Sequence, residues 1–435
     1  MWLMIYKQLI NRWRSNLSVC VELFLVFCLT WYLLDYFFIE LYNRSLPTGR
    51  SYDDVWLVEM GVMPENSREY VAIESDSLHI LNNYHRVLDR LRSYPGVKHV
   101  GASFGCSSLP YSQCFMGDAF RSVDDTSCVA SCMEMMFDPS TEFLEVFSHK
   151  DGHDGSLVST ASYDWGNPNA ILITRRMEQA LFDGQSAVGK MIISTYNSDE
   201  NKAKQIVGVL QDVKRHDNSL PGAVMISPIR IEYVHIPQMY YFIRVDRTES
   251  DGHFADEFMK QMSSELRIGN FYLKRITPYF RYKSDIDFSY GVTYNYRVRL
   301  SLLLFLSVNI LLCVVGTFWY RVRLRRGEIG LRMALGSSRG EIRGMLIREG
   351  ITMLLLVTPF AMLLESQFML VGLVDLPYTS QTILPDHYLP ANMVLRFLIV
   401  NLAVWFTLAL SIVFGVWLPA NRAASLEPAE ALHYE

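Results

Sequence analysis

Hydrophobic residues are not spread evenly along this chain. They gather into four runs, at residues 17–39, 300–320, 351–374 and 394–418. Each run is close to the 20 or so predominantly apolar residues that a helix needs to cross a bilayer. Between the first and second runs, residues 40–299 are of mixed polarity and long enough for a large folded domain. The pattern predicts a membrane protein with four transmembrane α-helices and a large α+β domain between helices 1 and 2.

Within that domain the period of the apolar residues alternates between strand-like and helix-like. Strands are expected at 54–60, 97–104, 128–137, 171–174, 191–195, 205–213, 231–237, 239–245 and 271–276. Helices are expected at 78–93, 140–147, 175–182 and 253–268, the first stopped by Tyr94-Pro95-Gly96. Two subdomains are expected. Residues 1–16 place Trp2, Ile5, Leu9 and Trp13 among basic residues, the pattern of an interfacial amphipathic helix.

Charge then orients the spans. Lys7, Arg12 and Arg14 precede the first span, which puts the N-terminus on the cytoplasmic side. The large domain is then outside, residues 321–349 inside, the short connection 375–393 outside, and the tail 419–435 inside. The first span is longer than a signal-peptide core and lacks a small-residue cleavage site, so it is read as an uncleaved anchor. The net charge is only −5, and no nucleic-acid partner is expected.

The connector 321–349 carries eight arginines against three glutamates and no lysine. Its apolar residues, Ile329, Met333 and Leu335 and then Ile342, Met345 and Leu346, recur at roughly helical spacing. Two short amphipathic helices are therefore expected. Gly336 ends the first, and Ser338 with Glu341 forms a capping box that starts the second. Such a pair either docks a cytoplasmic protein or rests on anionic lipid headgroups. Lipid binding would not require the Gly/Ala spacing or the capping box, and docking is the preferred reading.

Candidate chemistry is sparse. Residues 184–190, GQSAVGK, match the first seven positions of a phosphate-binding loop. The next residue is Met191 rather than Ser or Thr, and the stretch follows a helix and precedes a strand, the reverse of what such a loop needs. No catalytic constellation emerges, so nucleotide chemistry is assigned to another chain. Residues 151–155, DGHDG, read as a surface turn. Cys106 and Cys114 can close a short loop as a disulfide or stand as free thiols. Cys128 and Cys132 cannot pair across an extended strand, whose ends would be about 13 Å apart. Glu22, Asp35 and Glu365 fall inside apolar runs, where ionisable groups mark function by default. Glu22 and Asp35 lie near span ends, where snorkelling or interfacial pairing accounts for them. Glu365 lies deeper, beyond a kink expected at Pro359, and is expected to pair with Arg396 or to face its symmetry mate.

Residues 328–337, EIGLRMALGS, are similar to the E-I-G-x-R-x-A-x-G-[AS] signature of the MacB/FtsX-like ABC transporter permeases. The C-terminal Leu418-Pro419-Ala420, Arg422-Ala423-Ala424 and Pro428-Ala429-Glu430-Ala431-Leu432 resemble that family's tail, with His433 where Arg is usual. Residues 91–97, 182–190 and 206–209 resemble landmarks of its periplasmic domain, and the length of the outside domain favours the MacB-type branch. The resemblance implies a permease dimer, homodimeric or of paralogues, in the bacterial inner membrane. Two separate cytoplasmic ATPase subunits would bind the ATP and magnesium, leaving this chain without cofactor, metal or catalysis. Their closure would reach the periplasmic domains through the connector, with Glu328, Gly330, Arg332, Ala334, Gly336, Ser338 and Glu341 as the coupling residues. The function implied is export through a periplasmic adaptor and outer-membrane channel. The alternative is a non-transporting mechanical regulator of a periplasmic hydrolase or sensor kinase.

Overall fold

A computed structural model describes residues 13–425 apart from 113, 115, 197, 198, 200, 201, 247–252, 373, 375–383 and 385–387. Residues 1–12 of the helix expected at 1–16, most of the 375–393 connection and the last ten residues of the tail lie outside the described residues, and residues 13–16 open α1. The chain divides into two compact units, one of which comprises Asn43–Val292 with a short piece of the later connection. The other holds four long helices, of which α1 (Trp13–Ser45) is the first.

The first unit is built on a βαββαβ frame. Strand β1 (Val55–Val62) leads through α2 (Ser77–Ser93) to β2 (Val97–Phe104). Asp76 caps α2 by accepting from Leu78 N at 3.2 Å, and the helix stops before Gly96, whose φ of 84° an L-residue disfavours. A long insertion follows. It contains β3 (Met116–Ser122), β4 (Val129–Phe137), the single turn α3 (Phe143–Val146), β5 (Ala170–Thr174) and α4 (Arg175–Phe182). It continues with β6 (Met191–Ser194), β7 (Lys204–Leu210), the short β8 (Val213–Lys214) and β9 (Pro221–Gly222), and β10 (Val224–Pro228). Then β11 (Met239–Val245), α5 (Phe254–Glu265) and β12 (Phe271–Pro278) complete the frame.

Strand order β2-β11-β1-β12, with antiparallel neighbours throughout, is that of a ferredoxin-like split βαβ unit. Alternation sorts each strand between its two faces. Trp56 and Val58 join Tyr84, Leu88 and Leu91 of α2 and Phe254, Phe258 and Met262 of α5 in one core. Val55, Leu57 and Phe242 join Phe143, Phe147 and Tyr279 in another. His149 is fully buried beside this second core, its ring 6.3 Å from that of Phe143, with neither nitrogen hydrogen-bonded.

The inserted strands close on themselves. β4 and β10 pair in parallel, which completes the circuit β10-β5-β7-β6-β3-β4 as a six-stranded barrel. A single register pair, Ser103 with Phe137, joins barrel to frame. Residues 184–190 are here a turn into β6: Asp183 and Gly184 have positive φ, and Gly189 N bonds to Ile206 O. One expected strand is corrected. Residues 231–237 form turns and a 3₁₀ segment, Ile236–Gln238, because Pro237 has no N–H to offer a ladder. Strands β3 and β10, and the helix α6 (Tyr279–Ser289), were not apparent in the pattern.

In the helical unit, α1 is joined by α7 (Val292–Leu324), α8 (Arg326–Ala334), α9 (Arg339–Leu370) and α10 (Met393–Ser425). The four long helices are apolar enough to span a membrane, over Leu17–Ser45, Val292–Leu324, Arg339–Leu370 and Met393–Trp417. Their shared core comes from rows at four-residue spacing: Leu23, Phe27 and Trp31; Met353, Val357 and Ala361; Val400, Val404, Leu408 and Ile412. At Gly415 a Cβ would lie 2.8 Å from Val314 Cγ1, so glycine lets α7 and α10 approach closely. The opposite faces carry exposed Leu25, Leu29, Leu304, Phe305, Leu402 and Phe406, a surface suited to lipid.

Candidate functional site

The arginine-rich connector folds as one braced unit. The capping box at Ser338 forms in both directions: Glu341 N donates to Ser338 Oγ at 3.3 Å, and Ser338 N donates to Glu341 Oε2 at 2.8 Å. The helix it starts is not short, however. Helix α9 runs on into the third span for 32 residues, or about 48 Å, continuing past Pro359 although proline has no N–H to bond back one turn. Helix α8 ends in a Schellman motif, Gly336 N to Met333 O and Ser337 N to Arg332 O, both 3.0 Å. Gly336 has φ 99°, which explains the glycine there; none of the described residues approaches it closely.

Two sets of contacts fix α8 to its neighbours. Ile329 is buried in one cluster with Val322, Ile342 and Leu346, and Met333 and Met345 pack against it. Beside this cluster, Arg325 donates from Nε and Nη2 to the two oxygens of Glu328, each at 3.0 Å, and from Nη1 to Glu349 at 2.8 Å. Arg332 adds a bond to Glu328 at 3.0 Å and contacts Met345 Sδ. The hydrogen bonds and charge of Arg325, reinforced by Arg332, hold the Glu328 carboxyl below its ordinary range. Glu328 is thus spent inside the connector, and Arg332 is turned largely toward it. Gly330 is buried on the same inward side.

What α8 offers outward is apolar. Gly327, Leu331, Ala334 and Leu335 are all exposed, Leu331 by 53% and Leu335 by 79%. Their i, i+4, i+7, i+8 spacing sets them on one face. Leu335, which the periodicity grouped with the inward residues, is the C-cap and faces out.

The intramembrane charges pair differently from expectation. Arg396 makes a bidentate pair with Asp35, Nε to Oδ1 at 2.7 Å and Nη2 to Oδ2, and both side chains are buried. Glu365 therefore has no share in Arg396. It is fully buried within this chain's own bundle, which also removes a symmetry mate as its partner, and neither of its oxygens is hydrogen-bonded. Glu22 meets Cys313. In the other unit, Cys106 and Cys114 are free thiols in contact with each other, and that contact pushes the Cys106 thiol up. Cys132 is buried in β4 opposite Asp118, away from Cys128 at the strand's entrance. Residues 151–155 form a closed turn around Asp151 Oδ1, which accepts from His153 N and Asp154 N.

No curated protein sequence matches this chain. Several solved structures resemble part of it. Among them are a domain of a permease protein from Porphyromonas gingivalis (14% identity, 52% of this chain and 91% of that one, TM-score 0.33) and the extracellular domain of the noncanonic ABC-type transporter YknZ from Gram-positive bacteria (14%, 50% and 100%, TM-score 0.30). A third is the periplasmic region of MacB from Actinobacillus actinomycetemcomitans (12%, 55% and 94%, TM-score 0.29). Residues 300–428 match the family model described as FtsX-like permease C-terminal. That match takes in the second span, the braced connector and both later spans. Over residues 300–428, then, this chain carries the C-terminal domain of the FtsX-like permeases.

Proposed function

We propose that this chain is the membrane subunit of an ABC transporter that lacks its own engine. A separate cytoplasmic ATPase seats on the outward face of α8, and its closure is passed along α9 to the far side of the membrane. There the large α+β domain moves and drives export. The observation that carries the reading is an exposed apolar face, Leu331 and Leu335, mounted on a helix that Ile329 and Arg325 fix rigidly to the base of a span. An apolar patch on an arginine-rich, water-facing connector costs solubility unless a partner covers it. The seven coupling residues then divide by task. Ala334 lies in the contact face; Gly336, Ser338 and Glu341 shape the turn; Gly330, Glu328 and Arg332 hold α8 in place.

The chain would sit in the inner membrane with both termini cytoplasmic, as a dimer. The bundle's interior favours motion over passage: the cavity lined by Val19, Leu23, Ile310, Val314 and Met353 holds about 20 Å³, one water at most. For that reason a non-transporting regulator of a periplasmic hydrolase or sensor kinase is the second reading. Co-purification tests both. A P-loop ATPase should accompany the native chain and be lost in Leu331→Asp with membrane insertion intact; retention of the ATPase by that variant would refute the docking face. An accompanying adaptor and outer-membrane channel mean export, whereas a hydrolase or kinase means regulation.

A further inference from the structure

The bundle contains a second polar centre that coupling through the connector does not use. Glu365 projects from α9 into the interior and is 0% exposed. Among the described residues its surroundings include polar groups but no counter-charge. From α10 it meets Asn401, whose Nδ2 donates to Phe397 O at 3.0 Å and whose Oδ1 is buried and unpaired. On α1, Cys28 lies within electrostatic range of it. One turn along the same face of α1 is Trp31, fully buried against Phe397 with its Nε1 unpaired.

Among the described residues, the charged groups of the bundle interior are committed elsewhere. Arg396 is held by Asp35, Glu22 meets Cys313, and Glu40, near the end of α1, has its own interactions. An ionised carboxylate without a cation or donor would cost many kcal/mol in such a place, whereas a neutral acid costs little and gains a donor. The unpaired atoms match that state: a protonated carboxyl can give its O–H to Asn401 Oδ1 and accept on its other oxygen.

We propose that Glu365 is a proton-binding site inside the transmembrane bundle, occupied in this packing and hydrogen-bonded to Asn401. The ligand is a proton, and the site can release it only when the helices part enough to admit water or a cation. Each opening of the bundle would then carry a proton step that the connector does not require.

The whole chain in lipid vesicles provides the test. Folded protein that keeps a proton the unfolded chain gives up is most stable below the ordinary glutamate range, around pH 4, and loses that stability as pH rises. Glu365→Gln mimics the protonated acid at every pH. Its unfolding midpoint should lie near that of the native chain at pH 5 and several degrees above it at pH 8. A second measurement uses dicyclohexylcarbodiimide, a lipid-soluble reagent. The acid's proton adds to the reagent's nitrogen and its oxygen to the central carbon; rearrangement to the N-acylurea leaves the whole reagent attached. Glu365 should be the bundle carboxyl so modified at pH 7, while a membrane-impermeant carbodiimide leaves it untouched. A stability difference that stays flat or shrinks from pH 5 to pH 8 would overturn the proposal. So would equal labelling by both reagents, which would place the carboxyl in water.

Discussion

Removing one member of the Asp35–Arg396 pair should damage the bundle far more than removing both. The guanidinium and carboxylate meet through two parallel hydrogen bonds, one of 2.7 Å, and both side chains are at most 2% exposed. Taking away one partner leaves a buried charge unanswered, which costs about 3–5 kcal/mol, whereas replacing a buried pair by apolar groups is often neutral or stabilising. Arg396→Met and Asp35→Leu should therefore each lose about 3–5 kcal/mol. The double variant should recover most of the loss, giving a coupling energy of about 3 kcal/mol or more. Unfolding of the purified chain in mixed micelles, driven by increasing dodecyl sulfate, measures all four corners of the cycle. Pairing Arg396→Met with Glu365→Gln supplies the control, and those two changes should add. If the Asp35/Arg396 double variant is no better than the worse single one, the pair does not stabilise the bundle and the reasoning fails.

Other parts of the molecule give sharper readouts of single effects. Gly415→Leu would push a side chain into Val314, and overpacking of this kind costs about 1–3 kcal/mol; the same micelle titration should show it. His149 is held neutral by burial, with Arg50 opposing its protonation, and is pushed down to about 3. The unfolded chain therefore binds more protons below about pH 6.5, so the domain should lose of order 4 kcal/mol between pH 6.5 and 3. His149→Phe should flatten that part of the pH–stability curve, and an unchanged slope would assign the loss to other groups. A mild thiol oxidant should link Cys106 to Cys114 within the chain, detectable by peptide mass. Cys106→Ser should abolish the link, and failure to form it would show that the loop holds the thiols out of bonding geometry.

Much of the fold could be read locally, and the misses have physical reasons. Helix α2 is bounded by an Asp cap and a Pro-Gly stop, and β2 follows directly on that stop, so both are set by neighbours in sequence. Strand β3, MGDAFRS, has few apolar residues and is held by its ladders to β4 and β6, which no local pattern announces. Residues 231–237 have the composition of a strand, but Pro237 and the turns around it decide otherwise. The capping box and glycine stop of the connector were legible because their bonds span three to five residues. Which face of α8 points outward was not, since the brace from Arg325 reaches Glu349 and the apolar pins come from α9. Asp35 and Arg396 are 361 residues apart, and only the packed bundle brings them together.

The barrel leaves and rejoins the ferredoxin-like frame at adjacent points, because Phe104 at the end of β2 stands opposite Met239 at the start of β11. A closed ring of strands also offers no loose edge for mispairing. The intervening 134 or so residues are thus a cartridge plugged into a socket one strand spacing wide. The barrel strands can be enlarged or reshaped while the frame keeps its strand order, provided Phe143 of α3 and Phe147 just after it stay to fill the core they share with Val55, Leu57 and Phe242.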